Sequence, residues 1–453
     1  MKPRRFAFSS DFVWGVATSS YQIEGAANAG DKGLGNWDAF AERPLAIFDG
    51  HRGQFGCDHL RRLEEDLDLI AGLGVHAYRF SVSWPRVLPD ARGTPSAQGL
   101  DFYDRLVDGL LSRGVTPYLT LFHWDAPQVF ERWGGFRNPA SSDWFAEYAS
   151  VVSRRLGDRV KHYFTLNEPH AFIEGGLRHG RHAPGLTLPL REVLAAAHNA
   201  LLAHGKSVQV LRAEVDGAWV AMAPVLVSGI PASDSPEDVE AARRFTFGAA
   251  GDGLRTTAFW ADPAMGRGYP ADYLSLFGDQ MPSFGSDDLE LIAQPLDAFA
   301  INLYDAPLVR AGVDGRPEIV PYPPGFPRTA FDWPVTPDAH YYGVKFAYER
   351  YQKPIVISEN GLSCRDWVHT DGRVRDTERI DFLLRHLSAL ERACADGVPI
   401  QGYFHWSLLD NFEWNHGYRE RFGLIHVDFA SGQRTPKDSY QVYREVIRAG
   451  AGG

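Results

Sequence analysis

The feature that most constrains this chain is an alternation, repeated eight times, of short apolar runs with segments of helical period. Runs rich in β-branched and aromatic residues lie near 12–18, 75–82, 115–122, 160–166, 218–227, 298–304, 354–358 and 400–406. Between them apolar residues recur every third or fourth position. Leu60, Leu63, Leu67, Ile70 and Leu73 do so, as do Tyr103, Leu106, Val107 and Leu110, and Ile380, Leu383, Leu384, Leu387 and Leu390. Strands alternating with helices imply parallel strands joined by crossovers. Leu73-Gly74-Val75, Arg113-Gly114-Val115 and Asp396-Gly397-Val398 each end a helical segment and begin a strand, with glycine free to take the left-handed conformation that stops a helix.

Helix-to-strand joins are therefore short. The opposite connections, after the first, fourth, sixth, seventh and eighth strands, run to tens of residues rich in Gly, Pro, Asn and aromatics. Short loops at one end and long loops at the other predict an α/β fold: one (β/α)8 TIM barrel with long strand-to-helix loops, a single domain over 1–453. Its functional groups belong at the C-terminal ends of the strands. A doubly wound open sheet is the alternative, but its phosphate-binding fingerprint is missing; Gly33-Leu34-Gly35 is only a fragment of it.

Composition narrows the function classes. The chain is 44% hydrophobic and 23% charged, ordinary for a globular protein, and carries a net charge of −11. Its basic residues are scattered in short pairs such as Arg61-Arg62 and Arg154-Arg155. Nucleic acid, which needs basic patches to displace counterions from phosphate, is not an expected partner. No apolar run approaches the roughly 20 residues that span a bilayer, so no membrane association is expected. The opening MKPRRFAFSSDF has no apolar stretch of signal-peptide length. Three cysteines, Cys57, Cys364 and Cys394, imply no disulfide framework and lack metal-ligand spacing. A cytoplasmic setting is the expectation. His179 and His182 have a spacing that zinc could use, but no third ligand is evident. Nothing in the sequence specifies an oligomeric state.

The strand ends carry the chemistry. Strand two ends in Tyr78-Arg79-Phe80-Ser81, and strand three in His123-Trp124-Asp125. Strand four ends in TLNEP (165–169), strand six in Asn302-Leu303-Tyr304, strand seven in ISENG (357–361) and strand eight in His405-Trp406. Carboxylates, a guanidinium, amides, an imidazole, a phenol and indoles thus meet on one rim. Sugars need this mixture of planar hydrogen-bonding groups and flat aromatic faces. Hydrolysis of a glycosidic bond needs two carboxyl groups, one protonated and one ionised. Glu168 and Glu359 are the two strand-end glutamates; Asp125 is a third carboxylate, read as structural.

Six segments in order resemble glycoside hydrolase family 1, the β-glucosidase family. They are FVWGVATSSYQIEGA (12–26), YRFSVSWPRVLP (78–89), HWDAPQ (123–128), TLNEP, ISENG and WSLLDNFEWNHGYRERFGL (406–424). The likeness runs from Phe12 to about Tyr443. It implies a retaining β-glucosidase that removes terminal non-reducing β-D-glucosyl residues, cellulose-derived oligosaccharides included. It also implies Glu168 as acid/base and Glu359 as nucleophile. Gln22, Glu413 and Trp414 would contact the far hydroxyls of the sugar, and His123 and Asn167 those at C3 and C2. Trp406 would be the stacking floor. Arg79 and Tyr304 would hold and tune the nucleophile, Arg79 by lowering its pKa, with Asn302 in support. The two carboxylates suffice, so no metal or organic cofactor is expected; the partner is a small β-glucoside.

Four positions depart from the family's usual residues: Ala126, Leu303, Ser358 and His405. A phosphoglycosidase would need a cationic pocket after strand eight, where Glu413 stands instead. A non-catalytic barrel would lack a catalytic glutamate, and a thioglucosidase would replace Glu168 by glutamine. Transglycosylation remains open, because water and a second sugar compete for one intermediate.

Overall fold

The computed structural model describes residues 4–26, 30–249 and 251–450. The eight apolar runs form β1 (Val13–Ala17), β2 (Ala77–Ser81), β3 (Thr116–Phe122), β4 (His162–Asn167), β5 (Trp219–Ala223), β6 (Phe299–Asn302), β7 (Ile355–Asn360) and β8 (Ile400–Trp406). All neighbours pair in parallel, and the first strand meets the last, from Val13 beside Gly402 to Ala17 beside Trp406. Between β5 and β6 the seam closes with fewer bonds. Asp297 N–H donates to Val220 O (3.0 Å), Asn302 N–H to Pro224 O (3.0 Å) and Leu226 N–H to Asn302 O (2.9 Å). The sheet is a nearly closed (β/α)8 barrel.

Eight helices surround it: α1 (Leu63–Leu73), α2 (Ala97–Ser112), α3 (Ser141–Leu156), α4 (Leu190–Glu214), α5 (Ser286–Ile292), α6 (Ala339–Tyr351), α7 (Thr377–Ala395) and α8 (Asp438–Gly450). The periodic residues face inward. In α2 they are Phe102, Tyr103, Leu106, Val107 and Leu110, all buried, and Ser96 caps the helix by accepting from Gly99 N–H at 2.8 Å. Leu60, read from its spacing as part of the first helix, lies in the turn before it; Arg62, the residue before α1, departs from helical geometry. Gly74, Gly114 and Gly397 have φ of 80°, 74° and 89°, the left-handed stops their sequence positions predict.

The barrel interior mixes small and large side chains, with Ala77, Ala221 and Ala300 making room for Tyr118, Phe164 and Phe404. The fifth strand-to-helix connection, which the sequence pattern does not single out, is also long. It carries the helices Pro236–Phe247, Ala258–Ala264 and Ala271–Phe277. A three-stranded sheet of Ile230–Pro231, Leu308–Ala311 and Pro317–Val320 ties it to the sixth connection. Cys57, Cys364 and Cys394 are free, the first two buried and the third half-buried. No group of three His, Cys, Asp or Glu among the described residues could hold a metal ion, so His179 and His182 do not make a site.

Candidate active site

The strand ends and their loops enclose a cavity of about 340 Å³. Its walls include Glu168 and Glu359, with His123, Asn167, Tyr304, Trp406, Glu413 and Trp414. Gln22, Arg79 and Asn302 stand behind the wall, fully or almost fully buried, and hydrogen-bond the glutamates in front of them.

Glu168 follows β4 with φ of 44°, before Pro169 opens a one-turn helix. That left-handed backbone is costly for a residue with a Cβ, and it turns the carboxyl out of the strand direction. Asn302 Nδ2 donates to Glu168 Oε1 at 3.0 Å and to Asn167 Oδ1 at 3.0 Å. The Asn302 amide is itself oriented by Ser358 Oγ, which donates to its Oδ1 at 2.7 Å. The departure at 358 thus keeps the hydroxyl the cluster needs.

Glu359 has stronger partners. Arg79 Nη1 donates to Glu359 Oε1 at 2.6 Å, and the Tyr304 hydroxyl donates to Oε2 at 2.7 Å. Arg79 is held in turn by Thr120 Oγ1 (3.1 Å), Asn167 Oδ1 (2.6 Å) and the face of Phe164, 4.8 Å from its guanidinium carbon. The glycine that ends ISENG has a simple cause: a Cβ at Gly361 would stand 1.8 Å from the Trp406 carbonyl oxygen.

The electrostatics separate the two carboxyls less simply than the sequence suggests. Burial raises the Glu359 pKa above its ordinary value, with Arg79 and Tyr304 opposing that rise. Arg79 lowers the Glu359 pKa, as expected of its charge, but desolvation outweighs the ion pair and the net shift is upward. Glu168 is pushed up to about 7, by burial first and the charge of Glu359 second, with only the neutral Asn302 as its hydrogen-bond donor. Between two raised carboxyls, the one facing a guanidinium ionises first. Of these two, Glu359 therefore carries the charge more readily and Glu168 keeps its proton longer.

At the other end, Gln22 Nε2 donates to Asn411 Oδ1 (3.0 Å), Phe412 O (2.9 Å) and Glu413 Oε2 (3.3 Å). Glu413 is pushed up to about 8 by burial and then by the charges of Glu359, Glu420 and Glu168. Asn167 Nδ2 donates to His123 Nε2 at 3.1 Å, which places the imidazole proton on Nδ1. Burial lowers the His123 pKa well below its usual value and keeps the ring neutral. The His123 ring lies 5.5 Å from Trp406 and 5.9 Å from Trp414, each at 17°.

Asp125 is buried outside the cavity wall, where Ser20 Oγ donates to it at 3.2 Å, in keeping with a structural role. Ala126 and Leu303 are buried, and His405 packs against Tyr443 (ring centroids 5.9 Å apart), away from the cavity. Sequence reasoning missed His170, Arg181, His182, Arg255, Phe331 and Trp333, which also line it. All lie in long loops; only His170, directly after TLNEP, had a position in sequence that could have marked it.

A parallel barrel with paired strand-end carboxyls, one beside an arginine and a tyrosine, defines a glycoside hydrolase. Residues 4–451 match the model of glycosyl hydrolase family 1, and the chain belongs to that family. Among curated relatives, Beta-glucosidase A of Acetivibrio thermocellus is 41% identical, covering 98% of this chain and 99% of the relative. The bifunctional beta-D-glucosidase/beta-D-fucosidase of Bifidobacterium breve is 38% identical over 97% of this chain and 98% of its own length. The solved beta-glucosidase of Thermotoga maritima in complex with glucoimidazole superposes with a TM-score of 0.90 at 38% identity, covering 99% of this chain and 100% of that one.

Proposed function

We propose that Glu359 is the nucleophile and Glu168 the acid/base of a retaining β-glucosidase whose single catalytic domain spans 1–453. One observation carries the assignment. Glu359 is clamped by Arg79 at 2.6 Å and Tyr304 at 2.7 Å, whereas Glu168, in the same cavity, has only an amide donor at 3.0 Å. Charge on Glu359 is supported, and a proton on Glu168 is retained.

Glu359 attacks the anomeric carbon while Glu168 protonates the departing oxygen, so the C–O bond to the aglycone breaks as the glycosyl–enzyme ester forms. With Glu359 esterified, its negative charge is gone and the Glu168 carboxylate accepts a proton from water. Water adds to the anomeric carbon, Glu359 leaves as carboxylate, and two inversions give net retention. His123, Asn167, Trp406, Glu413 and Trp414 are the groups available to the glucosyl ring, with Gln22 positioning Glu413. Small β-glucosides, including cellulose-derived oligosaccharides, are the proposed substrates. Three free thiols favour a reducing, cytoplasmic setting.

The test replaces Glu359 by Gly. Hydrolysis of para-nitrophenyl β-glucoside should disappear, and added azide should restore turnover and yield the α-glucosyl azide. In the parent enzyme, NMR of fresh hydrolysate should show β-glucose first. An α-anomer formed first would refute the double displacement. The carboxyl separation should match the about 5–5.5 Å of retaining enzymes rather than the about 6.5–9.5 Å of inverting ones.

A further inference from the structure

The cavity wall is rich in glutamate, but it also carries two arginines that the proposed reaction does not use. Arg181 and Arg255 both line the cavity and are exposed. Arg181 sits on the segment that follows Glu168, where the N–H groups of Arg181 and His182 both donate to Gly175 O, at 2.9 and 3.1 Å. Arg255 sits on the connection after β5, anchored next door by Leu254 N–H donating to Glu174 Oε1 at 2.9 Å.

Neither guanidinium is held in a close ion pair. Arg181 has no ion pair among the described residues, and the nearest carboxylate oxygen to Arg255, on Asp305, is 4.0 Å away. Glu174, the other acidic group on this part of the wall, is engaged already: it accepts from Leu254 and lies 3.6 Å from Arg178 and 3.5 Å from His179. The positive charge of Arg255 acts on Glu168 and His170, which puts it on the side of the acid, where the departing group must sit. Elsewhere on the surface most arginines sit in closer ion pairs; a free guanidinium and a loosely paired one lining the same cavity make an anion receptor.

We propose that the leaving-group side of this site favours β-glucosides whose aglycone carries a carboxylate, with Arg255 and Arg181 as its specificity-determining residues. A carboxylate suits the place better than a phosphate, because its single charge is repelled less by the Glu359 carboxylate and by Glu174. A planar two-oxygen anion also matches the fork of a guanidinium. The proposal rests on Glu168 marking the leaving-group side.

The experiment compares two aryl glucosides that differ only far from the reacting oxygen: the β-glucoside of para-hydroxyphenylpropanoate and its primary amide. The methylenes between ring and carboxylate keep the leaving groups equally good. The acid should have a kcat/KM about tenfold above the amide at low ionic strength, as expected for charged hydrogen bonds that stay partly wet. At about 1 M salt, with a Debye length near 3 Å, most of that preference should vanish. Arg255→Gln and Arg181→Gln should each lower the acid-to-amide ratio, the double variant should bring it to about one, and Arg255→Lys should keep part of it. The ratio cancels any effect of Arg255 on the acidity of Glu168. A ratio near one in the parent enzyme overturns the proposal while leaving the glucosidase intact, as does a ratio unchanged in the double variant. Faster turnover of the matching phosphate would overturn the choice of anion. Failure to cleave either compound or para-nitrophenyl β-glucoside would overturn the catalytic assignment as well.

Discussion

Glu168 and Glu359 are chemically identical side chains, and the division of labour proposed for them rests on what stands beside each. Arg79 and Tyr304 place a positive charge and a strong donor on Glu359, while Glu168 receives one neutral N–H from Asn302. An acid must keep its proton, so the rate should fall as pH rises past the Glu168 pKa of about 7. The basic limb of kcat/KM for an unactivated glucoside should therefore lie near that value. Glu168→Gln, assayed with a dinitrophenyl glucoside that needs no acid, should lose that limb. If the limb persists at the same pH in the variant, another group supplies the proton. Glu168→Ala should slow glycosylation by roughly 10²–10⁴-fold for cellobiose and far less for the dinitrophenyl substrate. Equal losses on both would remove Glu168 from the acid role.

At the scale of elements, three of the left-handed backbones fall in loops that build the site. Trp124 has φ of 79°, Glu168 of 44° and Trp414 of 49°, and all three line the cavity. Each is a bulky or charged residue in a backbone region that favours glycine, held there by surrounding contacts such as Trp124 Nε1 donating to Asn167 O at 2.9 Å. The helical layer has a vulnerability of its own. His340 of α6 and His386 of α7 are both fully buried, with ring centroids 4.8 Å apart. His386 Nδ1 donates to Phe382 O at 2.7 Å, and neither nitrogen of His340 has a partner among the described residues. Burial lowers the His386 pKa to about 4, and burial with the charge of His386 lowers that of His340. A folded-state pKa below the unfolded value means that the unfolded chain binds protons first. Stability is then full above about 6.5 and declines as pH falls toward 4, by roughly 3 kcal/mol for His386 alone. His386→Asn should show a shallower loss of unfolding free energy between those limits. Parallel slopes for parent and variant would mean that the pair does not titrate on unfolding.

Across the whole molecule, the barrel is completed by parts that are far apart in the chain. The first strand pairs with the last, and Tyr443 of α8 covers that seam with its hydroxyl donating to Gly15 O at 2.8 Å. Tyr443 is fully buried, with Trp14 6.0 Å away edge-on. Tyr443→Phe removes one hydrogen bond and should cost about 1 kcal/mol. Tyr443→Ala also opens a cavity and should cost about 3–5 kcal/mol. Urea unfolding of the two variants would measure both; a Tyr443→Ala variant as stable as the parent would show that α8 does not secure the barrel.

How much of this was legible in the sequence differs between fold and site. Strand positions were, because a barrel strand buried on both faces must be a short apolar run, and all eight runs became strands. Helix stops at Gly74, Gly114 and Gly397 were legible for the same local reason, while the start of α1 was misjudged because Leu60 has the helical spacing without the backbone. Glu168 and Glu359 were picked out by position: a charged residue straight after a buried strand has few roles other than chemistry. Their motifs also carried Arg79, Asn302 and Tyr304. By itself, then, the sequence determined the architecture, the paired glutamates and the groups that hold them, since these depend on local periodicity and on residues that sit at strand ends. Only the tertiary structure decided that Gln22 sits behind Glu413, that desolvation outweighs Arg79 at Glu359, and that Arg181 and Arg255 line the same cavity. Those outcomes depend on burial depth and on distances between loops far apart in the chain, and no pattern along a single segment encodes either.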